Sequence, residues 1–235
     1  MDKSFSEADQ LHRYLETLAD PKYATFSGKL IPNLRYPMIG VRIPALRKLA
    51  KEMARTDAVH AMDVLLTELS FEEVLLKGFV LGYAHLAWTE WAKRVAAYVP
   101  LMNNWAVCDM VCASLTLIRK HRTEGWELLR PYTLSEGEFE QRFAMIMLMD
   151  HYLTDDWIDH TLDVIKKLQP AGYYAAMAAG WALQRAFVKW PEKVFDLLTD
   201  SSIRSDIRLM ARKKLLESRC TLPQWRERIK ALHPA

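Results

Sequence analysis

Four residues hold most of the reactive chemistry this sequence offers. Trp105 and Asp109 stand four apart and so share one face of a helix. Arg142 adjoins the apolar run Phe143 to Met149, and Trp181 lies in the run AAMAAGWALQ. A carboxylate, a guanidinium and two indoles converging on one groove suit a cationic sugar transition state. Departure of a base from deoxyribose builds positive charge at C1′; a carboxylate stabilises that charge or orients the attacking water, and indole faces favour cations. Arg142 would grip a phosphate with both arms of its fork. Each residue also has a plainer reading, in which Asp109 and Arg142 form a buried ion pair between repeats and the tryptophans pack a core.

Charge is distributed unevenly. Residues 28–55 hold seven Lys or Arg against one acid and residues 201–235 hold nine against three, so each end is +6, the whole chain is +3 and the remainder is −9. Local charge, not the sum, sets the field a phosphate backbone meets, so two basic ends on an acidic body fit a polyanion. Within those ends Arg47, Lys51 and Arg55, and Arg204, Arg208 and Arg212, recur every fourth residue. Like charges stacked on one helical face repel, and either solvent screens that cost or a polyanion relieves it. Two other clusters carry less. Asp150, His151, Asp155, Asp156, Asp159 and His160 match no metal-ligand spacing, and capping and solvation at a helix junction are expected of them. Cys108 and Cys112 have no second CxxC pair and no His at ligand spacing, and read as core thiols.

The elements that position these residues are marked by helix punctuation. Ser70 with Glu73 and Ser135 with Glu138 have capping-box spacing, Thr89, Asn104 and Asp155 or Asp156 are single N-cap candidates, and Pro44, Pro100, Pro170, Pro191 and Pro223 mark helix edges. A long helix followed by a shorter one recurs with starts near Phe71, Trp105, Gly137, Gly172 and Arg204, at spacings of 34, 32, 35 and 32. Long segments such as VLLKGFVLGYAHLA and YYAAMAAGWALQ are apolar around most of their circumference and must be covered on several sides, as happens when helix pairs stack on their neighbours. Trp105, Asp109, Arg142 and Trp181 fall on successive long helices, which in such a stack line the concave face. The first forty residues read as a cap, with a helix around Ser6 to Ala19 followed by a proline-broken segment, Ser27 to Pro37.

Composition excludes much else. With 235 residues, 51% of them hydrophobic, the chain has enough material for a substantial core, and disorder is ruled out. Eight glycines, about 3% against a usual ~7%, weigh against hairpin-rich β folds and glycine-looped nucleotide binders. The first twenty residues include charges and no apolar core of a signal, and the longest uncharged stretch, Ala171 to Gln184, is too short for a bilayer of about 30 Å. Three cysteines without a disulfide pattern fit a reducing cytoplasm.

The segments GVRIPALRKLAK (residues 40–51), NWAVCD (104–109), QRFAMIMLM (141–149) and AAGWALQR (178–185) resemble those of the AlkD-type HEAT-like-repeat DNA glycosylases, the DNA alkylation repair family, in order and approximate separation. The resemblance spans nearly the whole chain. It implies removal of cationic N3- and N7-alkylated purines from duplex DNA, with Asp109, Trp105, Trp181 and Arg142 holding the lesion's sugar and phosphate. DNA contacts are expected from Arg42, Arg47, Lys51, Arg55, Gln184, Arg185, Arg204, Arg208 and Arg212. The expected fold is all-α, a right-handed α-solenoid of HEAT-like helix pairs with a concave DNA-binding face. Residues 1–235 are expected to form one domain, with 1–43 as the cap and 44–235 as repeats. No metal or cofactor is expected, and the protein should be a cytoplasmic monomer, nucleoid-associated when bound to DNA. One departure stands out. Active members carry a basic helix before the Gly-Val-Arg-Ile-Pro element, whereas here Pro32 and Pro37 should break any helix in SGKLIPNLRYP. That departure leaves open a non-catalytic paralogue that binds DNA or a protein partner.

Overall fold

In the computed structural model the described residues are 5–31, 34–67 and 69–232, and all regular structure among them is helical. The chain divides into two compact units, Met1–His121 and Arg122–Ala235. The first holds α1 (Ala8–Thr17), α2 (Pro21–Leu30), α3 (Ile43–His60), α4 (Phe71–Tyr83), α5 (Trp88–Tyr98) and α6 (Trp105–Cys112). The second holds α7 (Arg122–Thr133), α8 (Glu138–His151), α9 (Ile158–Lys167), α10 (Tyr173–Phe187), α11 (Pro191–Thr199), α12 (Ser205–Glu217) and α13 (Pro223–Lys230).

The first unit is built around α4. Ser70 caps that helix by accepting from the Glu73 N–H at 3.2 Å, as its spacing requires, and the Ser70 hydroxyl donates in return to the Glu73 carboxylate at 3.1 Å. The side chains from Phe71 to Leu76 and from Phe79 to Leu81 are all buried, with α3 on one side and α6 on another. A helix apolar all round must be enclosed in this way. The cap contains two helices, not one. Asp20 N-caps α2 with Pro21 at its first position, so Ser27 to Leu30 form a last helical turn where a break was expected. The helix stops where the chain approaches Pro32, because the residue before a proline is driven out of the α region, and Ile31 is extended. Pro32 itself lies outside the described residues.

The second unit repeats the arrangement. Every residue from Gln141 to Met149 on α8 is buried, and α10 packs against both α8 and α12. Gly180 makes the second contact possible. A Cβ there would sit 2.6 Å from the Met210 Cβ and 2.7 Å from the Ala211 nitrogen, so only hydrogen fits between α10 and α12. Starts at Phe71, Trp105, Glu138, Tyr173 and Ser205 keep the expected period to within two residues. Side chains keep it too, since Lys189 pairs with Asp155, Lys193 with Asp159 and Lys166 with Asp200, each across 34 residues.

Several local expectations are corrected. α8 starts two residues after a Ser135 cap would place it, with Gly137 as N-cap. Ser135 instead accepts from the Gly137 N–H and donates to Glu140, and so closes a turn ahead of the helix. Thr89 lies inside α5, capped by Ala87, and α9 is capped by Trp157, which leaves Asp155 free to pair with Lys189. α6 is only eight residues long because the chain turns at Ala113 and continues as a 3₁₀ segment, Thr116–Lys120. The Ser114 hydroxyl donates to the Met110 carbonyl there, which competes with continuation of the helix.

Candidate functional site

In the first unit, Trp105 opens α6 directly after Asn104, whose side chain accepts from the Val107 N–H at 3.0 Å. Its indole is half-buried, and Nε1 donates to the Leu30 carbonyl at 3.2 Å, so the last residue of α2 holds the ring. Asp109 follows one turn later on the same face, also half-buried, while Ala106, Val107, Cys108, Val111 and Cys112 face the core. The thiols of Cys108 and Cys112 are therefore shut away.

Arg47 is used differently from its two stripe partners. Its guanidinium donates to the Tyr83 hydroxyl at 2.9 Å, to Ser114 Oγ at 2.9 Å and to the Met110 carbonyl at 3.2 Å, and lies 4.2 Å from the centre of the Phe79 ring. The carbonyls of a last helical turn lack intrahelical partners, and Arg47 supplies one to α6. Lys51 is exposed with Nζ 5.3 Å from the Tyr83 ring, and exposed Arg55 folds Nε onto the Lys51 carbonyl at 3.2 Å. Arg42 pairs with Asp20 at 2.7 Å and lies 4.5 Å from the Tyr23 ring. That guanidinium holds the Asp20 carboxyl below the usual carboxylate range.

In the second unit Arg142 is 4% exposed and donates to the Tyr174 carbonyl at 2.9 Å. Tyr174 stacks on Phe139 at 5.3 Å, and Trp181 stands two turns along α10 on the same face, half-buried. Beside Arg142, the buried Gln141 amide donates to the Ser135 and Gln169 carbonyls at 2.8 and 2.9 Å and accepts from the Ala171 N–H at 2.7 Å. One side chain thus ties together the loops that lead into α8 and α10. Gln184 donates to Ser218 at 3.2 Å, and Arg185 is exposed. On α12, Arg204 pairs with Asp206 at 3.0 Å. Arg208 donates to the carbonyl of Asp200, the C-cap of α11, at 3.0 Å. Arg212 reaches the Ile229 and Lys230 carbonyls of α13 at 3.2 and 3.1 Å.

Sequence reasoning missed two kinds of residue. Gln141, Tyr174 and Phe139 act on loops and rings about 30 residues away, a distance at which no local pattern speaks. Arginine forks that finish distant helices, including Arg122 on the His151 carbonyl and Arg226 on Leu216, look in sequence like any other surface charge. Among the described residues no group of three or more His, Cys, Asp and Glu is placed to hold a metal ion. No helix among them is long and apolar enough to cross a membrane.

A family model described as DNA alkylation repair enzyme matches residues 11–218, from α1 to the C-cap of α12. The chain belongs to the DNA alkylation repair enzyme family. The match takes in all four residues singled out for chemistry and every residue of the basic stripes. Curated proteins and solved structures give no match.

Proposed function

We propose that this member of the DNA alkylation repair enzyme family is a monofunctional DNA glycosylase that hydrolyses the N-glycosidic bond of cationic alkylpurines, 3-methyladenine and 7-methylguanine, in duplex DNA. The observation that carries this reading is the Trp105–Asp109 face of α6, where a half-buried carboxylate stands one turn from an indole fixed by the Leu30 carbonyl. As the C1′–N bond breaks, its electron pair leaves with the purine, which departs neutral because it began as a cation. Asp109 stabilises the charge that grows at C1′, orients the water whose oxygen bonds that carbon, and accepts the proton the water loses as the bond forms. No general acid is required, because the positive base is already an activated leaving group. Trp105 and Trp181 lie against the deoxyribose, and Arg142 holds a phosphate.

In this reading the chain is a right-handed α-solenoid of HEAT-like repeats acting as a monomer in the cytoplasm; the repetition itself is supported by the near-constant period of helix starts and by ion pairs spaced 34 residues apart. Duplex DNA is held by the exposed bases Arg42, Lys51, Arg55, Arg185 and Arg204. Arg47, Arg208, Arg212 and Gln184 add to the surface from positions already used in the fold. The basic helix α2, with Lys22 and Lys29 exposed, supports excision, while its end at Leu30 keeps to the break expected at Pro32, and no helix follows among the described residues before Ile43. A second reading, a non-catalytic DNA- or protein-binding paralogue, draws on the arginines spent in helix capping. Release of 3-methyladenine and 7-methylguanine from methylated duplex DNA by the purified protein separates the two. Excision above the spontaneous rate supports the first, and its absence supports the second.

A further inference from the structure

No side chain of α2 is fully buried. Its inner face is Tyr23, Ala24, Ser27 and Gly28, while Phe26 and Leu30 are exposed. Ten residues without a buried stripe are too few to stay helical unaided in water, so the helix is held from its ends. At the N-terminal end the Asp20 N–H donates to the Gly40 carbonyl at 3.1 Å. Gly40 has φ +101°, and a Cβ there would stand 2.5 Å from the Asp20 oxygen and 3.0 Å from the Ala24 Cβ, so only glycine lets the α2 backbone seat against this loop. The loop in turn is held by Glu72. That carboxylate is 1% exposed and accepts the N–H groups of Ile39, Gly40 and Val41 at 2.9, 2.7 and 3.1 Å. At the other end of α2 the Leu30 carbonyl accepts from Trp105 Nε1 at 3.2 Å.

We propose that Glu72 and Gly40 are positioning residues for Trp105, acting through α2 as a strut that sets the indole's orientation about 15 Å from the loop. The proposal rests on the glycosylase reading only for its consequence, that a correctly set indole meets the sugar of the lesion. The linkage is a property of the free protein. Gly40→Ala forces the α2 N-terminus off the loop, and the Leu30 carbonyl moves with it because the helix transmits the displacement.

The test reads the tryptophan indole N–H resonances by ¹⁵N–¹H NMR, with the Trp105 signal assigned by its loss in Trp105→Phe. In Gly40→Ala the Trp105 signal should shift upfield and its hydrogen exchange should rise by about tenfold or more, together with that of the α2 amides. The signal of the buried Trp91 indole, on α5 of the same unit, should stay in place and report that the unit is folded. Should Gly40→Ala fail to fold, Asp20→Ala, which removes the α2 N-cap and the pair with Arg42, is expected to give the same joint change. Under single turnover the variant should excise more slowly while its DNA affinity stays within about threefold, since the indole acts on the transition state. A wild type that excises nothing contradicts the glycosylase reading and leaves the NMR result standing. Loosened α2 amides with an unmoved Trp105 indole, or no change in either, overturn the strut.

Discussion

Arg47 sits within α3 with its guanidinium among three hydrogen-bond acceptors and over the Phe79 ring, and the end of α6 depends on it. Arg47→Ala should therefore cost about 2–3 kcal/mol of stability, read as a shift in denaturant midpoint, because a charged donor is lost from three acceptors and the Met110 carbonyl keeps only the Ser114 hydroxyl. Arg47→Lys should recover little of it, since an ammonium cannot span three acceptors as a planar fork does. Lys51 and Arg55 are exposed and hold no such position, so reversing both to Glu should leave the midpoint nearly unchanged. It should weaken duplex binding, and the slope of log affinity against log salt should flatten by about two. Equal loss of affinity on removing Arg47 alone would argue that its fold contacts are secondary. Glu72→Ala should be among the most damaging single changes, at about 3 kcal/mol or more, because three backbone N–H groups lose their acceptor. The pair Trp105 and Asp109 was legible in the sequence because a spacing of four on a helix fixes a shared face. Glu72 was not, because a carboxylate in the first turn of a helix is ordinary, and the loop it serves lies 31 to 33 residues away.

At the scale of the helices, the ion pairs Lys189–Asp155, Lys193–Asp159 and Lys166–Asp200 join the α9 region to the α11 region at a constant offset. Lys166, with the Ser202 hydroxyl and N–H, holds the Asp200 carboxyl far below its ordinary value; Lys189 lowers Asp155 and Arg94 lowers Asp63. A depressed carboxyl contributes stability that is present in full above its unfolded pKa of about 4 and is lost as pH falls through its lower folded value. Thermal unfolding should therefore occur progressively earlier below about pH 4, and the slope should shrink at high salt because these groups are exposed. A transition temperature that rises on acidification would contradict the sign. Helix existence and period were legible because apolar runs and prolines recur, whereas helix starts at Thr89, Ser135 and Asp155 were not. Ser135 is used in a tight loop and Asp155 in an ion pair, while Thr89 falls two residues past the Ala87 cap, and local spacing does not rank such alternatives. The end of α2 follows from Pro32 and its start from Asp20 and Pro21, so that helix was readable once its N-terminal signals were weighed with the proline.

For the whole molecule, the all-helical character and the repeat of about 34 residues follow from composition and periodicity, and the family follows from four short segments in a fixed order. The two basic ends were read from charge alone, and the structure divides their bases between capping and exposed positions, as Arg208 and Lys51 illustrate. If Asp109 stabilises the transition state as the N-glycosidic bond of a cationic purine breaks, single-turnover release of 7-methylguanine from duplex DNA should differ between wild type and Asp109→Asn at equal salt. The wild type should release the base well above the spontaneous rate, and release should fall by about 10² or more in the variant, with duplex affinity unchanged or slightly higher once the carboxylate charge is gone. Release by Asp109→Asn as fast as by the wild type, or no release by the wild type above the spontaneous rate, would contradict that role.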